Sequence, residues 1–253
     1  MTTNNKIYLK NLLQSAKHGT AITVSWLESI GISRNLQQYY VKNNWLKPIG
    51  RGAYNCFNDK IEWYGGLYSI QKQQKVHVGA ISALQLQGLS HYLRLQEENI
   101  YLFTQYKSTI PKWFLTYNWG VTIAVEQTSL FSNDSGIIEF YEHEIPIQIA
   151  SPERAIMECL YLAPTNIDLI ECYHLMEGLI NLKPKLIQEL LISCNSMKVK
   201  RLFLYLAEKA NHQWLNFIDL SQIDIGKGNR EITQNGKFIQ KYLISIPQEL
   251  VNL

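Results

Sequence analysis

Ser29-Ile30-Gly31-Ile32-Ser33-Arg34-Asn35-Leu36-Gln37-Gln38-Tyr39-Tyr40-Val41-Lys42 is the stretch whose reading decides how this chain is built. A glycine between two isoleucines makes a tight reversal with apolar residues on both sides, the turn that a helix-turn-helix needs. Ser33 is an N-cap residue, and it predicts a helix over 34–44. Leu36, Tyr40 and Val41 form one apolar stripe on that helix, and Arg34, Asn35, Gln37, Gln38, Lys42 and Asn43 form the polar face. Upstream, a first helix is predicted from a cap at Asn4 or Asn5 to about Lys17, stopped at His18-Gly19. A short second helix falls within 20–28, capped at Thr23. Downstream, residues 45–57 alternate apolar and polar on both sides of Gly50-Arg51-Gly52, which predicts a β-hairpin, the wing of a winged helix.

Charge singles out the same segment. Residues 1–57 hold Lys6, Lys10, Lys17, Arg34, Lys42, Lys47 and Arg51 against Glu28 alone, a net of +6, whereas the whole chain carries +3. Basic charge concentrated on one small module is the electrostatic signature of a phosphate-binding surface. Arginine pairs bidentately with guanine, and asparagine and glutamine pair with adenine. Residues at the start of a recognition helix are the ones that reach base edges. Arg34, Asn35 and Gln38 are therefore the base-reading candidates. Ser33, Gln37 and Lys42 stand beside them, with Lys42 placed for phosphate. Lys47, Arg51 and Tyr54 are the candidates on the wing. A winged helix that docks a protein partner is the alternative.

A chain of 253 residues, 46% hydrophobic and 18% charged, is that of an ordinary globular protein of one large or two smaller domains. No apolar run approaches the roughly 18 residues of a membrane span, and Met1 to Lys10 lacks a signal peptide's apolar stretch. A cytoplasmic protein with no membrane partner is expected. Cys56, Cys159, Cys172 and Cys194 are irregularly spaced in apolar neighbourhoods and read as buried small hydrophobes.

Beyond the wing the pattern changes, so residues 1–57 are expected as a winged helix-turn-helix domain and 58–253 as a larger α+β domain. Within the latter a helix over 59–74 should be interrupted or bent at Gly65-Gly66. Strand-like runs at 99–104, 121–125, 137–141 and 145–149 suggest an antiparallel sheet. Ser151-Pro152-Glu153 starts a helical half that runs to about Asn211, and a final β region is expected at 223–228 and 241–246. Lys198, Lys200, Arg201, Lys227 and Arg230 form a candidate second basic face.

Catalytic signatures are missing. The sequence has no P-loop, H-E-x-x-H, G-x-S-x-G or dinucleotide fingerprint. Glu139, Glu142, His143 and Glu144 invite a metal, but on a strand His143 would point away from Glu142 and Glu144, and a hairpin tip reads better. His77, His91, His174 and His212 are isolated. The chain reads as a non-enzyme with no cofactor and no metal.

Several segments carry a resemblance: the run from His77-Val78-Gly79-Ala80 to Leu93, Ser151-Pro152-Glu153-Arg154-Ala155-Ile156-Met157-Glu158, Met176-Glu177-Gly178-Leu179, the run from Ser196 to Glu208, Ile225-Gly226-Lys227-Gly228-Asn229-Arg230, and Lys241-Tyr242. With Gly50-Arg51-Gly52-Ala53-Tyr54, the chain resembles, nearly end to end, the AbiEi antitoxins of type IV toxin–antitoxin and abortive-infection systems. The resemblance implies a DNA-binding winged helix joined to an antitoxin domain. It implies repression of the chain's own operon through inverted repeats in double-stranded promoter DNA. It also implies antagonism of a cognate nucleotidyltransferase-like toxin without a stable complex. The second basic face would then serve either DNA contact or toxin antagonism. The oligomeric state, monomer or weak dimer, stays open.

Overall fold

The structure is a computed structural model that describes residues 3–90 and 99–253. His91, which lies within a resembling segment, falls outside the described residues. Packing divides the chain into two units: residues 1–76, 107–123 and 139–148, and residues 77–106, 124–138 and 149–253.

The first unit begins with α1 (Thr3–Ser15), β1 (Ile22–Thr23), α2 (Val24–Ser29), α3 (Arg34–Lys42), β2 (Leu46–Gly50) and β3 (Ala53–Cys56). Thr23 caps α2, its hydroxyl accepting from the Trp26 amide, and Ser33 caps α3 by accepting from the Leu36 amide. The small sheet runs β1-β3-β2 with antiparallel pairs, Ile22 opposite Tyr54 and Leu46 opposite Cys56. Its third strand, β1, is a finding beyond the expected hairpin, because two residues are too few to show alternation. Leu12, Ile22, Leu27, Ile32, Tyr40 and Leu46 make the core that these elements share.

In the same unit, α4 (Trp63–Gln71) runs through Gly65-Gly66 without interruption and is shorter than the expected 59–74. Close approach is what the glycines supply. A Cβ on Gly65 would stand 1.7 Å from the Gly19 carbonyl oxygen, and one on Gly66 would stand 2.6 Å from the Trp119 ring. A short helix that the sequence reading lacked, α6 (Lys112–Thr116), packs against β2.

A five-stranded sheet runs β6-β5-β4-β8-β7, from β4 (Val76–Val78), β5 (Asn99–Gln105), β6 (Thr122–Thr128), β7 (Ile137–Glu142) and β8 (Ile145–Ala150). The sheet is mixed, not wholly antiparallel: Val78 of β4 pairs parallel with Ile149 of β8, strands far apart in the chain that need no tight turn. Between β7 and β8, His143 and Glu144 have φ of +44° and +66°, the left-handed pair of a two-residue hairpin turn.

In the second unit, α5 (Ala80–Leu86) packs on α7 (Pro152–Leu162), and α7 in turn packs on α8 (Leu169–Gly178), α9 (Pro184–Ser193) and α10 (Met197–Lys209). Pro152 at the first turn starts α7, and Asp168 caps α8 by accepting from the Ile170 and Glu171 amides. Two 3-10 turns follow, at Gln213–Phe217 and Leu220–Gln222. The chain closes with β9 (Arg230–Glu231), β10 (Lys237–Ile239), β11 (Ile244–Ile246) and α11 (Gln248–Asn252). Residues 223–228 are not a strand: they turn, with Gly226 and Gly228 at positive φ, and the pairing begins at Arg230. Cys159, Cys172 and Cys194 are buried and Cys56 is half-buried. The fold is mixed α+β, with the winged helix-turn-helix at its N-terminal end.

Candidate nucleic-acid interface

Helix α3 buries one side and offers the other. Tyr40 is fully buried in the shared core, and Gln37 is only 1% exposed, so Gln37 leaves the predicted polar face. The reason is local: its side-chain amide donates to the Ile32 carbonyl oxygen at 3.0 Å and so closes the turn ahead of the helix. Ser33, Arg34, Asn35, Gln38, Tyr39 and Lys42 are exposed. Gly31, at φ +83°, shapes that turn, and its Cα packs so near the Tyr8 ring that a Cβ would stand 3.3 Å from it.

On the wing, Lys47, Arg51 and Gly52 are exposed, whereas Tyr54 is half-buried against the core. A Cβ on Gly50 would meet Trp113 Cβ at 2.7 Å, which fixes glycine where β2 crosses α6. The pairing shifts register between Pro48 and Gly50, a bulge that re-aims the tip.

The start of α3 and the wing tip border one cleft of about 370 Å³, which Arg34 and Arg51 share with Glu28, Gln73 and Trp113. Arg34 donates through Nε to Glu28 Oε1 at 2.9 Å while its side chain stays 78% exposed. That hydrogen bond and the carboxylate charge raise the Arg34 pKa further, so the guanidinium is a permanent cation. An exposed pair of this kind is weak, so Glu28 holds Arg34 only loosely.

The candidate second basic face is not a face. Lys200 and Arg201 are 4% and 2% exposed. Arg201 donates from Nε to the Ile225 carbonyl at 2.7 Å and from Nη1 to the Gly228 and Leu243 carbonyls at 2.8 and 3.0 Å. Lys200 Nζ donates to the Asp224 carbonyl at 3.0 Å, and Lys198 Nζ donates to the Tyr161 and Ala163 carbonyls, both at 2.6 Å. Residues 223–228 lie in no ladder, and Lys200 and Arg201 satisfy the Asp224, Ile225 and Gly228 carbonyls there, while Lys198 holds carbonyls at the end of α7. Burial lowers the Lys198 and Arg201 pKa values, and the charge of Arg230 adds to the effect. Only Lys227 and Arg230 of the five stand in solvent.

Sequence reasoning missed a buried cluster in the second unit that joins two of the resembling segments. Glu158 is 1% exposed, and its Oε1 lies 2.8 Å from His77 Nε2 and accepts from Arg154 Nε at 2.9 Å. Its Oε2 accepts from the Ala80 amide at 3.1 Å. Burial alone would raise the Glu158 pKa, but His77 and Arg154 outweigh burial and hold it below the usual carboxylate value. Arg154 is itself held by the Asn133 and Ser135 carbonyls and lies over the Phe131 ring at 4.4 Å. A Cβ on Gly79 would stand 2.3 Å from Glu158, so that glycine is part of the cluster. The only sequence hint was that His77, Gly79, Arg154 and Glu158 fall in segments that resemble the same family.

A winged helix-turn-helix whose third helix offers an exposed polar side is the fold of helix-turn-helix regulators. The family follows from comparison. Residues 5–95 match the family described as the transcriptional regulator AbiEi antitoxin N-terminal domain. Residues 97–247 match the family described as transcriptional regulator, AbiEi antitoxin, of the type IV toxin–antitoxin system. The chain belongs to the AbiEi family of transcriptional regulators and antitoxins of type IV toxin–antitoxin systems. No curated protein matches it in sequence. Its fold is similar to the crystal structure of RV2827C protein from Mycobacterium tuberculosis, with a TM-score of 0.61 at 12% identity, over 96% of this chain and 91% of that one. Among the described residues, no helix is long and apolar enough to cross a membrane.

Proposed function

We propose that this chain represses its own operon by reading inverted repeats in promoter DNA, and that it antagonises a cognate nucleotidyltransferase-like toxin without forming a stable complex. Residues 1–57 act as the reading module and 58–253 as the antitoxin-type domain. Arg34, Asn35 and Gln38 reach base edges in the major groove, Lys42 and Lys47 meet phosphate, and Arg51 enters the backbone or minor groove beside the wing. The observation that carries this reading is the cleft in which Arg34 at the helix start and Arg51 at the wing tip converge. Gln37 takes no part, because it closes the turn. Lys227 and Arg230 remain available to DNA or toxin, whereas Lys198, Lys200 and Arg201 are structural.

The test is binding of the purified protein to its upstream promoter duplex and to a scrambled duplex over a salt series. Preference for the promoter, lost on Arg34→Ala, is the expected result. Equal weak binding to both duplexes removes the sequence-reading role. The second reading is a protein-docking winged helix. It draws on Tyr39, Trp45 and Phe57, aromatic side chains that stand exposed around the same helix and hairpin. Co-purification of a stoichiometric complex with the toxin would favour it.

A further inference from the structure

We propose that a cavity beside α2 in the first unit is a binding site for a small aromatic anion. The cavity has a volume of about 490 Å³. That falls within the usual range for organic ligands and is far more than a bare phosphate fills. One part of its wall is apolar, from Ala16, Ile22 and Trp26. Another is polar: Gln73 Nε2 donates to Thr23 Oγ1 at 3.1 Å and to Ser25 Oγ at 2.7 Å, and Ser29 adds a further hydroxyl.

Two cations complete the lining. Lys72 Nζ lies 4.5 Å from the centre of the Tyr68 ring, and Lys17 Nζ lies 5.7 Å from it. Lys17 also donates to the Glu144 carbonyl oxygen. Among the described residues no acidic side chain lines the cavity, and neither ammonium pairs with a carboxylate. Two lysines beside one tyrosine repel each other unless an anion joins them. The half-buried faces of Trp26 and Tyr68 suit a flat body behind that anionic end. Two sources fit this chemistry: an aromatic base that carries phosphate, or an aromatic carboxylate.

This inference does not rest on DNA reading, so each can fail alone. The experiment is calorimetric titration of the full chain with AMP and with salicylate, and with inorganic phosphate and an unrelated DNA duplex as controls. One aromatic anion should bind at one site with a Kd on the order of 0.01–1 mM. Which one binds identifies the source. Lys72→Ala, at an exposed position, should weaken binding about tenfold, and Ser29→Trp, which fills the cavity, should abolish it with the far-ultraviolet circular dichroism unchanged. The proposal is overturned if neither probe saturates. It is also overturned if Lys72→Ala leaves affinity unchanged, or if inorganic phosphate binds as tightly as the aromatic anions. Displacement of the bound anion by the unrelated duplex would reassign the cavity to a DNA phosphate track.

Discussion

The cations of α3 and the wing stand in water, whereas those of α10 are turned inward onto carbonyl oxygens. Arg34 is 78% exposed and has one weak carboxylate neighbour. Arg201 is 2% exposed and holds the Ile225, Gly228 and Leu243 carbonyls. Both are arginines near the start of a helix, and both follow a serine cap. Position on the helix separates them. The α3 cations lie on the polar side, but Lys200 and Arg201 stand between Val199 and Leu202 on a helix that neighbours cover on several sides. Net charge counts such groups equally; only burial says whether a partner can reach them.

The comparison can be broken by measurement, and the largest effect expected lies in the buried half. Glu158→Ala removes the acceptor for His77, Arg154 and the Ala80 amide and strands a buried guanidinium. The stability measured by urea denaturation should fall by roughly 3–5 kcal/mol. Its pH signature follows from the lowered pKa. The contribution is complete above the ordinary value of 4.5 and is lost as pH falls through the lower folded-state value. Glu158→Gln should therefore flatten the acid limb of the stability curve, and an unchanged limb would refute the ionised assignment.

Next comes Arg201→Met, which preserves bulk and removes the donors. A loss of about 2–3 kcal/mol in stability is expected, with DNA affinity unchanged under conditions where the variant stays folded. An unaltered urea midpoint with weakened DNA binding would collapse the contrast and restore the second basic face. Arg34→Ala should do the reverse: stability holds, and affinity for the promoter falls about tenfold to a hundredfold with little change on scrambled DNA. Equal losses on the two duplexes would make Arg34 a phosphate contact. The smallest effect is that of Lys42→Ala, a uniform weakening in which the slope of log affinity against log salt drops by about one.

Much of the winged helix-turn-helix was legible in the sequence because its signals are local. Thr23 and Ser33 as caps, Gly31 in the turn and Gly50-Arg51-Gly52 at the hairpin tip each act within a few residues. Gln37 escaped because a polar side chain next to a turn can bond backwards, and spacing alone does not show it. Strand β1 and helix α6 were too short for any period to appear. The Glu158 cluster joins residues 81 apart in sequence, and α10 grips carbonyls 24 to 42 residues downstream. Such contacts follow from the finished fold and leave no periodic trace. The helical half was readable from Pro152 and Asp168 as helix starts, but the destinations of its charged residues were not.

Strand β3 lies between β1 and β2, and β1 runs straight into α2, which packs on α3. The wing is thus stitched to the helix pair along its β3 edge, as a jaw is fixed to the beam of a calliper. On the proposed reading that pairing sets the span between Arg34 and Arg51. A site whose grooves stand at another spacing would have to stretch or twist to fit, so the stiffness of its own base steps would enter the selection of the operator.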